Sequence, residues 1–231
     1  PSDLKALQNP TFRREMAQRA FAATAAYDQA ITRYFEEKTG LPGVQTLTLH
    51  PGQSLRYGEN PHQEAAFFAS QPGASPFHGQ VLGGKPLSYN NLLDLEGAWR
   101  AVRRFERPAV VVVKHTSPCG AAEAQRLEDA LDLALEADPV SAFGSVIASN
   151  RPVTSGIVNG LGDLFFECLI APEFTDQARK RLAEQEEVRL IQAPLDRPLP
   201  GQEMRSLPGG YLKQDRDHGD PEDAEGWQVM T

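Results

Sequence analysis

Apolar positions at helical spacing mark the start of the chain. The apolar face consists of Met16, Ala20, Tyr27, Ile31, Tyr34 and Phe35. Pro10 suits the first turn of a helix after Asn9, and Gly40 is a residue type that commonly ends one. The pattern therefore predicts one long helix over 10–39. A boundary follows at 41–43, where leucine, proline and glycine occur together.

Downstream of this boundary, short apolar runs of strand length alternate with helical patterns. The predicted strands cover residues 46–50, 64–70, 110–113, 142–149, 167–170, 188–193 and 210–214. The predicted helices cover residues 88–105, 127–138, 153–165 and 175–187. Strands that alternate with helices of this length are typical of a layered α/β domain with much parallel pairing.

The most informative segment is the valine run 110–113, which is typical of a strand buried on both faces. It stops at Lys114 and His115, and residues 116–118 then turn the chain through 119–120 toward a helical pattern. Ligands of α/β sheets bind at the carboxyl ends of strands. A lysine beside a histidine can hold an anion and move a proton near neutral pH. The alternative is that both are merely exposed residues at a strand end.

Composition narrows the classes of protein. The 231 residues fit one large domain or one domain with an appendage, and 40% hydrophobic residues suffice for a sizeable core. A formal charge of −8 argues against nucleic-acid binding but leaves a small phosphorylated ligand possible. Neither a membrane-spanning run nor a signal-peptide core is apparent. Cys119 and Cys168 lie in unlike contexts, which favours a cytoplasmic protein without disulfides.

Three polar loops carry the remaining candidate chemistry, at 56–63, 84–94 and 138–144. The first offers a cation, an aromatic hydroxyl, amides and an imidazole to a phosphate or a heteroaromatic ring. Each loop also has a purely structural interpretation. The first loop could be a surface turn. In the second loop, Asn90 or Asn91 could cap a helix whose dipole Asp94 complements. In the third loop, Asp138 could satisfy backbone donors in a tight turn.

Pro118 and Cys119 match half of the zinc-deaminase signature, in which a second cysteine follows three residues later. Ala122 occupies that position, so the pair of thiolates is broken and we expect no zinc at this turn. Cys119 also lacks an oriented base, which argues against a nucleophilic role. Neither a P-loop nor a dinucleotide-binding glycine pattern is present.

In this order and at this spacing, residues 56–63, 84–94, 114–120 and 138–144 resemble the bifunctional purine-biosynthesis family of AICAR transformylase/IMP cyclohydrolase. The resemblance implies a layered αβα fold, cytidine-deaminase-like with a mixed sheet and without zinc, preceded by a long helix. It also implies three regions. Residues 1–45 would be the last helix of the cyclohydrolase domain and a linker, 46–210 the first transformylase subdomain, and 211–231 the start of a connection to a second subdomain.

Neither end of the chain looks natural, because it begins without methionine and stops within an apolar stretch at 226–231. We therefore expect a piece of a longer protein, with an incomplete transformylase site.

The resemblance further implies a reaction: transfer of the formyl group from 10-formyltetrahydrofolate to the 5-amino group of AICAR, after which the cyclohydrolase closes the ring to give IMP. His115 would manage the proton on the amine, and Lys114 would assist this transfer and oppose developing charge. Arg56 and Tyr57 would face the nucleotide phosphate. The other implied substrate-binding residues are Asn60, His62, Asn91, Asp94, Ser117 and Asp138, with Asn91 and Asp138 at the ribose or base.

The family's transformylase sites form between two subunits, so the resemblance also implies a homodimer in the full-length enzyme. Two other functions stay open, a zinc-dependent nucleoside or nucleotide deaminase and a non-catalytic nucleotide-binding module. For the leading hypothesis we expect Arg56, Asn91, Lys114, His115 and Asp138 to converge on one cleft at the carboxyl edge of the sheet.

Overall fold

A computed structural model describes residues 8–40 and 44–217 of the chain. Contacts between residues divide it into two compact units, Pro1–His50 and Pro51–Thr231. The boundary predicted at 41–43 and the apolar end at 226–231 lie outside the described residues.

The first unit contains the predicted long helix, α1 (Pro10–Thr39). The side chain of Asn9 accepts a hydrogen bond from the Thr11 N–H at 2.9 Å, and the Gly40 N–H donates to the Glu36 carbonyl oxygen. Gly40 has φ 63°, which is why a glycine suits the end of this helix. The prediction for 10–39 is confirmed. The strand predicted at 46–50 is wrong, because regular structure begins only at His50.

The second unit alternates strands with helices as predicted. Its strands are β1 (His50–Ser54), β2 (Ala66–Ala69), β3 (Gln80–Gly83), β4 (Ala109–Lys114), β5 (Ser117–Glu123), β6 (Ser145–Ser149), β7 (Phe166–Ala171), β8 (Arg189–Gln192), β9 (Gln202–Leu207) and β10 (Gly210–Asp215). Its helices are α2 (Tyr89–Val102), α3 (Leu127–Ala137), α4 (Pro139–Ala142), α5 (Ser155–Leu161) and α6 (Asp176–Leu182), besides a 3-10 turn at Pro76–His78.

Six strands form one mixed sheet in the order β3-β8-β7-β6-β4-β5. Strands β6, β7 and β8 are parallel to one another, whereas β3, β4 and β5 each pair antiparallel with their neighbours. Strands β1 and β2 form a separate pair, and β9 and β10 form a hairpin. The predicted strand at 210–214 is confirmed as β10.

The valine run shows how the sheet separates two cores. Val110 and Val112 pack against α3 on one face, whereas Val111 and Val113 pack against α2 on the other. The side chains alternate because successive residues of a strand point to opposite faces. Helices α5 and α6 join α3 on the first face. The predicted layered αβα class is therefore confirmed.

Strand β5 corrects the sequence analysis, which placed a turn into a helix there. Its residues are mostly small and have no strong β propensity, so the strand arises from pairing with β4 rather than from its own pattern. Small residues let α3 lie close to the sheet. A Cβ atom added to Gly120 would come within 1.9 Å of the Ala134 carbonyl oxygen.

A second correction follows from strand direction. Because β4 runs antiparallel to β6, the end of β4 at Lys114 lies beside the start of β6. The amino ends of β7 and β8 lie at the same edge of the sheet. The predicted site is thus at the carboxyl end of β4 but at the amino ends of the three parallel strands, and not at a common carboxyl edge.

Candidate functional site

Lys114 and His115 lie where β4 turns back into β5. Lys114 pairs with Ser117, so His115 and Thr116 alone connect the two strands. Both connecting residues have positive φ, 54° for His115 and 64° for Thr116. This is the backbone sign of a type I′ hairpin turn. His115, Thr116 and Ser117 are all exposed, and so the imidazole is presented at the edge of the sheet.

The Lys114 ammonium is directed toward the loop that precedes β6. Its Nζ donates to the Phe143 carbonyl oxygen at 2.7 Å. In the same loop, Asp138 accepts hydrogen bonds from the Ser141 N–H at 2.9 Å and from the Ser141 hydroxyl at 2.6 Å. The Ser141 hydroxyl lowers the pKa of Asp138, and the charge of Lys114 lowers it further. The structure therefore brings Lys114 and Asp138 together, and Asp138 also accepts a backbone donor, as its structural interpretation expected, although it does so as the cap of α4.

Asp94 approaches the hairpin turn from the first half of α2. Its carboxylate accepts a hydrogen bond from the Thr116 N–H at 2.6 Å. Burial raises the pKa of Asp94, while the bond from Thr116 and the nearby His115 oppose that rise. Asp94 and His115 are thus neighbours in the fold.

Asn91 connects α2 to the amino end of β7. Its Oδ1 accepts from the Ser88 N–H, and its Nδ2 donates to Glu167 Oε2 at 3.2 Å. Ser88 is the cap of α2, and Asn91 completes a capping box, so the predicted cap at Asn90 or Asn91 is wrong in its position. Arg189, at the amino end of β8, donates to the same Glu167 oxygen at 2.9 Å.

Arg56 and Tyr57 lie on a loop that is fastened to the segment before α2. The Arg56 N–H donates to the Leu87 carbonyl oxygen at 3.0 Å, and the Tyr89 N–H donates to that of Tyr57 at 3.1 Å. The Arg56 guanidinium lies 4.7 Å from the centre of the Tyr57 ring and donates to its hydroxyl at 3.2 Å. Arg56 is exposed, and it lies near Glu187, whose pKa is lowered chiefly by the hydrogen bond and charge of Lys85 and to a smaller extent by the charge of Arg56.

Asn60 and His62 lie farther out on the same loop. The Asn60 N–H donates to Gln63 Oε1 at 2.7 Å. His62 and Arg56 line an open depression of about 710 Å³, whose described lining does not include Lys114 or His115. The structure therefore groups His62 with Arg56 rather than with the hairpin turn.

Cys119 is the extra residue of a β-bulge between β4 and β5. Its thiol donates to the Val112 carbonyl oxygen at 3.5 Å, and burial raises its pKa. Cys119 and Ala122 both pack against the core on the α3 side of the sheet. Within residues 8–40 and 44–217, no group of three His, Cys, Asp or Glu side chains is arranged to hold a metal ion.

Glu167 and Arg189 are the site residues that the sequence analysis missed. Arg189 is almost fully buried, whereas the Glu167 side chain is 38% exposed at the edge of the sheet. A charged residue at the start of an otherwise apolar strand is the only signal in the sequence. Together with Asp94, Asp138 and Lys114, they place charged groups of both signs at one edge of the sheet, where a polar molecule could bind.

None of the described helices is long and apolar enough to cross a membrane.

The sequence model of a family described as AICARFT/IMPCHase bienzyme matches residues 3–231. Among curated proteins, the chain is 43% identical over 235 residues to a protein named Bifunctional purine biosynthesis protein PurH from Anaeromyxobacter dehalogenans (strain 2CP-C), covering 94% of this chain and 45% of that protein.

Two other relatives carry the same name. The protein of Thermosynechococcus vestitus is 42% identical, with 96% of this chain and 45% of the relative covered. The protein of Synechococcus sp. (strain WH7803) is 44% identical, with 95% and 45% covered. The chain therefore spans less than half the length of these relatives.

Proposed function

We propose that this chain, which belongs to the AICARFT/IMPCHase bienzyme family, supplies part of a site for formyl transfer. The group would pass from 10-formyltetrahydrofolate to the 5-amino group of AICAR. The longer protein would also cyclise the product to IMP. One observation carries this assignment beyond the family: Lys114 and His115 share one edge of the sheet with Asp94, Asp138 and the Asn91–Glu167 pair. The same comparisons do not favour the zinc-deaminase alternative.

His115 is suited to proton transfer because its imidazole is exposed at the tip of a short hairpin turn. The 5-amino group of AICAR is a weak nucleophile and must lose a proton as its nitrogen bonds to the formyl carbon. The bond from that carbon to the folate nitrogen then breaks, and this nitrogen takes up a proton as tetrahydrofolate leaves. A histidine can accept the proton from the amine near neutral pH. Lys114, held by the Phe143 carbonyl oxygen, would lie beside the reacting atoms and stabilise the negative charge that develops on the formyl oxygen.

Arg56 and Tyr57 are suited to the phosphate of the nucleotide. The guanidinium is exposed and is supported from one side by the tyrosine ring, which orients its donors. Guanidinium groups bind phosphate oxygens with paired hydrogen bonds. Asn60 and His62, on the same loop, would extend this polar surface.

Asn91 and Glu167 are suited to the ribose hydroxyls or the base. Glu167 is a partly exposed acceptor, and Asn91 holds it from the α2 side. Asp138, although engaged by Ser141, lies beside Lys114 and would contact the same molecule. Ser117, which is exposed and paired with Lys114, would complete the contacts at the hairpin.

The organisation of the longer protein follows from the same assignment. Residues 1–45 would end the cyclohydrolase domain, 46–210 would form the first transformylase subdomain, and 211–231 would lead toward the second. We propose a cytoplasmic homodimer without zinc, which binds neither nucleic acid nor a membrane. The free cysteines Cys119 and Cys168 support the cytoplasmic location.

The test is the substitution His115→Ala in the full-length protein. Formyl transfer should fall roughly 10²–10⁴-fold, the usual range for loss of a general acid–base group. Cyclisation of formylated AICAR should change little, because that reaction would belong to the other domain. His78→Ala is a matched control, since His78 also has positive φ but lies in the 3-10 turn at Pro76–His78. Equal loss of both activities in His115→Ala would contradict a catalytic role for this residue. If the unsubstituted protein binds AICAR without turning it over, the chain is instead a non-catalytic module.

A further inference from the structure

The turn that presents His115 is built from unfavourable residues. A two-residue hairpin turn with positive φ at both positions is usually formed by asparagine and glycine. Here the positions are occupied by histidine and threonine, with φ 54° and 64°. Threonine is branched at Cβ, and such residues are rarely found in the left-handed region. Some contact from outside the hairpin must therefore stabilise this conformation.

Asp94 makes such a contact. Its carboxylate oxygen lies 2.6 Å from the Thr116 nitrogen, a short, charge-assisted hydrogen bond. The Thr116 hydroxyl adds a bond of 2.7 Å to the His115 carbonyl oxygen, but that bond is internal to the turn. Asp94 instead belongs to α2, so it connects the turn to another element of the fold.

Helix α2 is held in place by packing against the sheet. Its residues Leu95, Ala98 and Trp99, which follow Asp94 along the helix, are buried against the sheet. The helix also passes close to the turn, because a Cβ atom on Gly97 would lie 3.8 Å from the Thr116 carbonyl oxygen. A carboxylate on this helix can therefore fix the position of the turn relative to the sheet.

We propose that Asp94 is a positioning residue, which holds the His115–Thr116 turn in its left-handed conformation and thereby fixes the imidazole next to Lys114. This role differs from the substrate contact implied for Asp94 by the family resemblance. Its functional part rests on the proposed role of His115, whereas its structural part does not. Since the carboxylate is engaged by the turn and half-buried, it is better placed to act through His115 than to contact a nucleotide.

The structural part can be tested on this chain by amide hydrogen exchange measured with NMR. In Asp94→Ala the Thr116 N–H loses its acceptor, and its exchange should accelerate at least 10-fold. Asp94→Asn keeps an oxygen acceptor and should show a smaller change. Glu96→Ala is the matched control. It removes another carboxylate from the same helix, and the partners of that carboxylate are Arg100 and Arg216 rather than Thr116. Unchanged exchange of Thr116 in Asp94→Ala would overturn the proposal.

A rescue experiment distinguishes positioning from a direct substrate contact. Glycine adopts positive φ without strain, so Thr116→Gly should return the ring resonances of His115 in Asp94→Ala toward those of the unsubstituted chain. The gain in unfolding free energy from Thr116→Gly should also be larger in the Asp94→Ala variant than in the chain that keeps Asp94. Equal stabilisation in both backgrounds would refute the proposal, and this comparison remains valid even if Asp94→Ala lowers stability.

The functional part is tested in the full-length protein. Asp94→Ala should lower kcat for formyl transfer at least 10-fold with little change in KM for AICAR, and adding Thr116→Gly should restore part of the loss. A rise in KM without rescue would assign Asp94 to the substrate and overturn the positioning role. If instead the turn responds as expected but kcat does not change, the proposed function of His115 is wrong while the structural contact stands.

Discussion

Removing either partner of the Glu167–Arg189 ion pair should have unequal consequences for stability. The guanidinium is only 4% exposed, whereas the carboxylate is 38% exposed. Arg189 Nη1 also reaches the Glu187 carbonyl oxygen at 3.2 Å, and its Nε has no partner among the described residues. Glu167→Leu thus leaves a buried cation, while Arg189→Leu leaves a carboxylate that water can partly solvate.

The magnitudes follow from this difference in burial. An unpaired charge left in the interior costs about 3–5 kcal/mol of unfolding free energy, which we expect for Glu167→Leu. For Arg189→Leu we expect about 1–3 kcal/mol, because the remaining carboxylate is partly hydrated and the cost of burying the guanidinium is removed. The double substitution should cost less than the sum of the two, since no charge is left without its partner.

Urea denaturation of the chain, followed by circular dichroism and by fluorescence of the buried Trp99, measures these differences. The exposed pair Lys85–Glu187 is the matched control, and Lys85→Leu should produce no resolvable change. Equal losses for the two single substitutions, or additive losses in the double one, would refute the argument from burial. AICAR binding should also weaken in Arg189→Leu, because Glu167 then keeps only the hydrogen bond from Asn91 to orient it.

Three further outcomes are expected. Gly120→Ala should destabilise the chain by about 3 kcal/mol, because the added Cβ meets the Ala134 carbonyl oxygen at 1.9 Å. The control Gly201→Ala should be tolerated, because nothing lies within 4 Å of the new atom. Similar melting temperatures for the two variants would contradict this expectation. Elemental analysis should find no stoichiometric zinc, and zinc bound at Cys119 would overturn the inference from Ala122. An NMR titration should place the pKa of Asp138 below the ordinary 3.8 and should find it raised in Ser141→Ala. Since the folded-state pKa is depressed, this carboxylate stabilises the fold above pH 3.8, and its contribution is lost as the pH falls through the folded-state value. An unchanged pKa in Ser141→Ala would contradict the assignment to the hydroxyl.

The sequence predicted the elements whose patterns arise from burial. The run 110–113 and the strands at 167–170 and 188–193 are apolar because both of their faces are covered, and each was found. Strand β5 was missed because its small residues reflect the close approach of α3 rather than strand propensity. Strand β3 was missed for a related reason: it lies at the edge of the sheet and carries little of the apolar pattern.

The candidate site was predictable only where its residues adjoin in sequence. Lys114 and His115 stand out because they end a valine run. Glu167 and Arg189 lie at the starts of strands that the sequence predicted as buried, and the hydrogen bond between them spans 22 positions. Only the parallel pairing of β7 with β8, in which Cys168 lies opposite Arg189, places them side by side. No local pattern reports such a pairing.

The reversed direction of β4 explains where the polar residues collect. In a sheet of purely parallel strands, the loops that follow the strands would build the site. Here β4 brings Lys114 and His115 to the edge at which β6, β7 and β8 begin. The segments that precede these strands therefore contribute the partners: the Asp138 loop before β6, Glu167 at the start of β7 and Arg189 at the start of β8. A polar residue just before a parallel strand, usually taken as structural, is in this topology a candidate for the site.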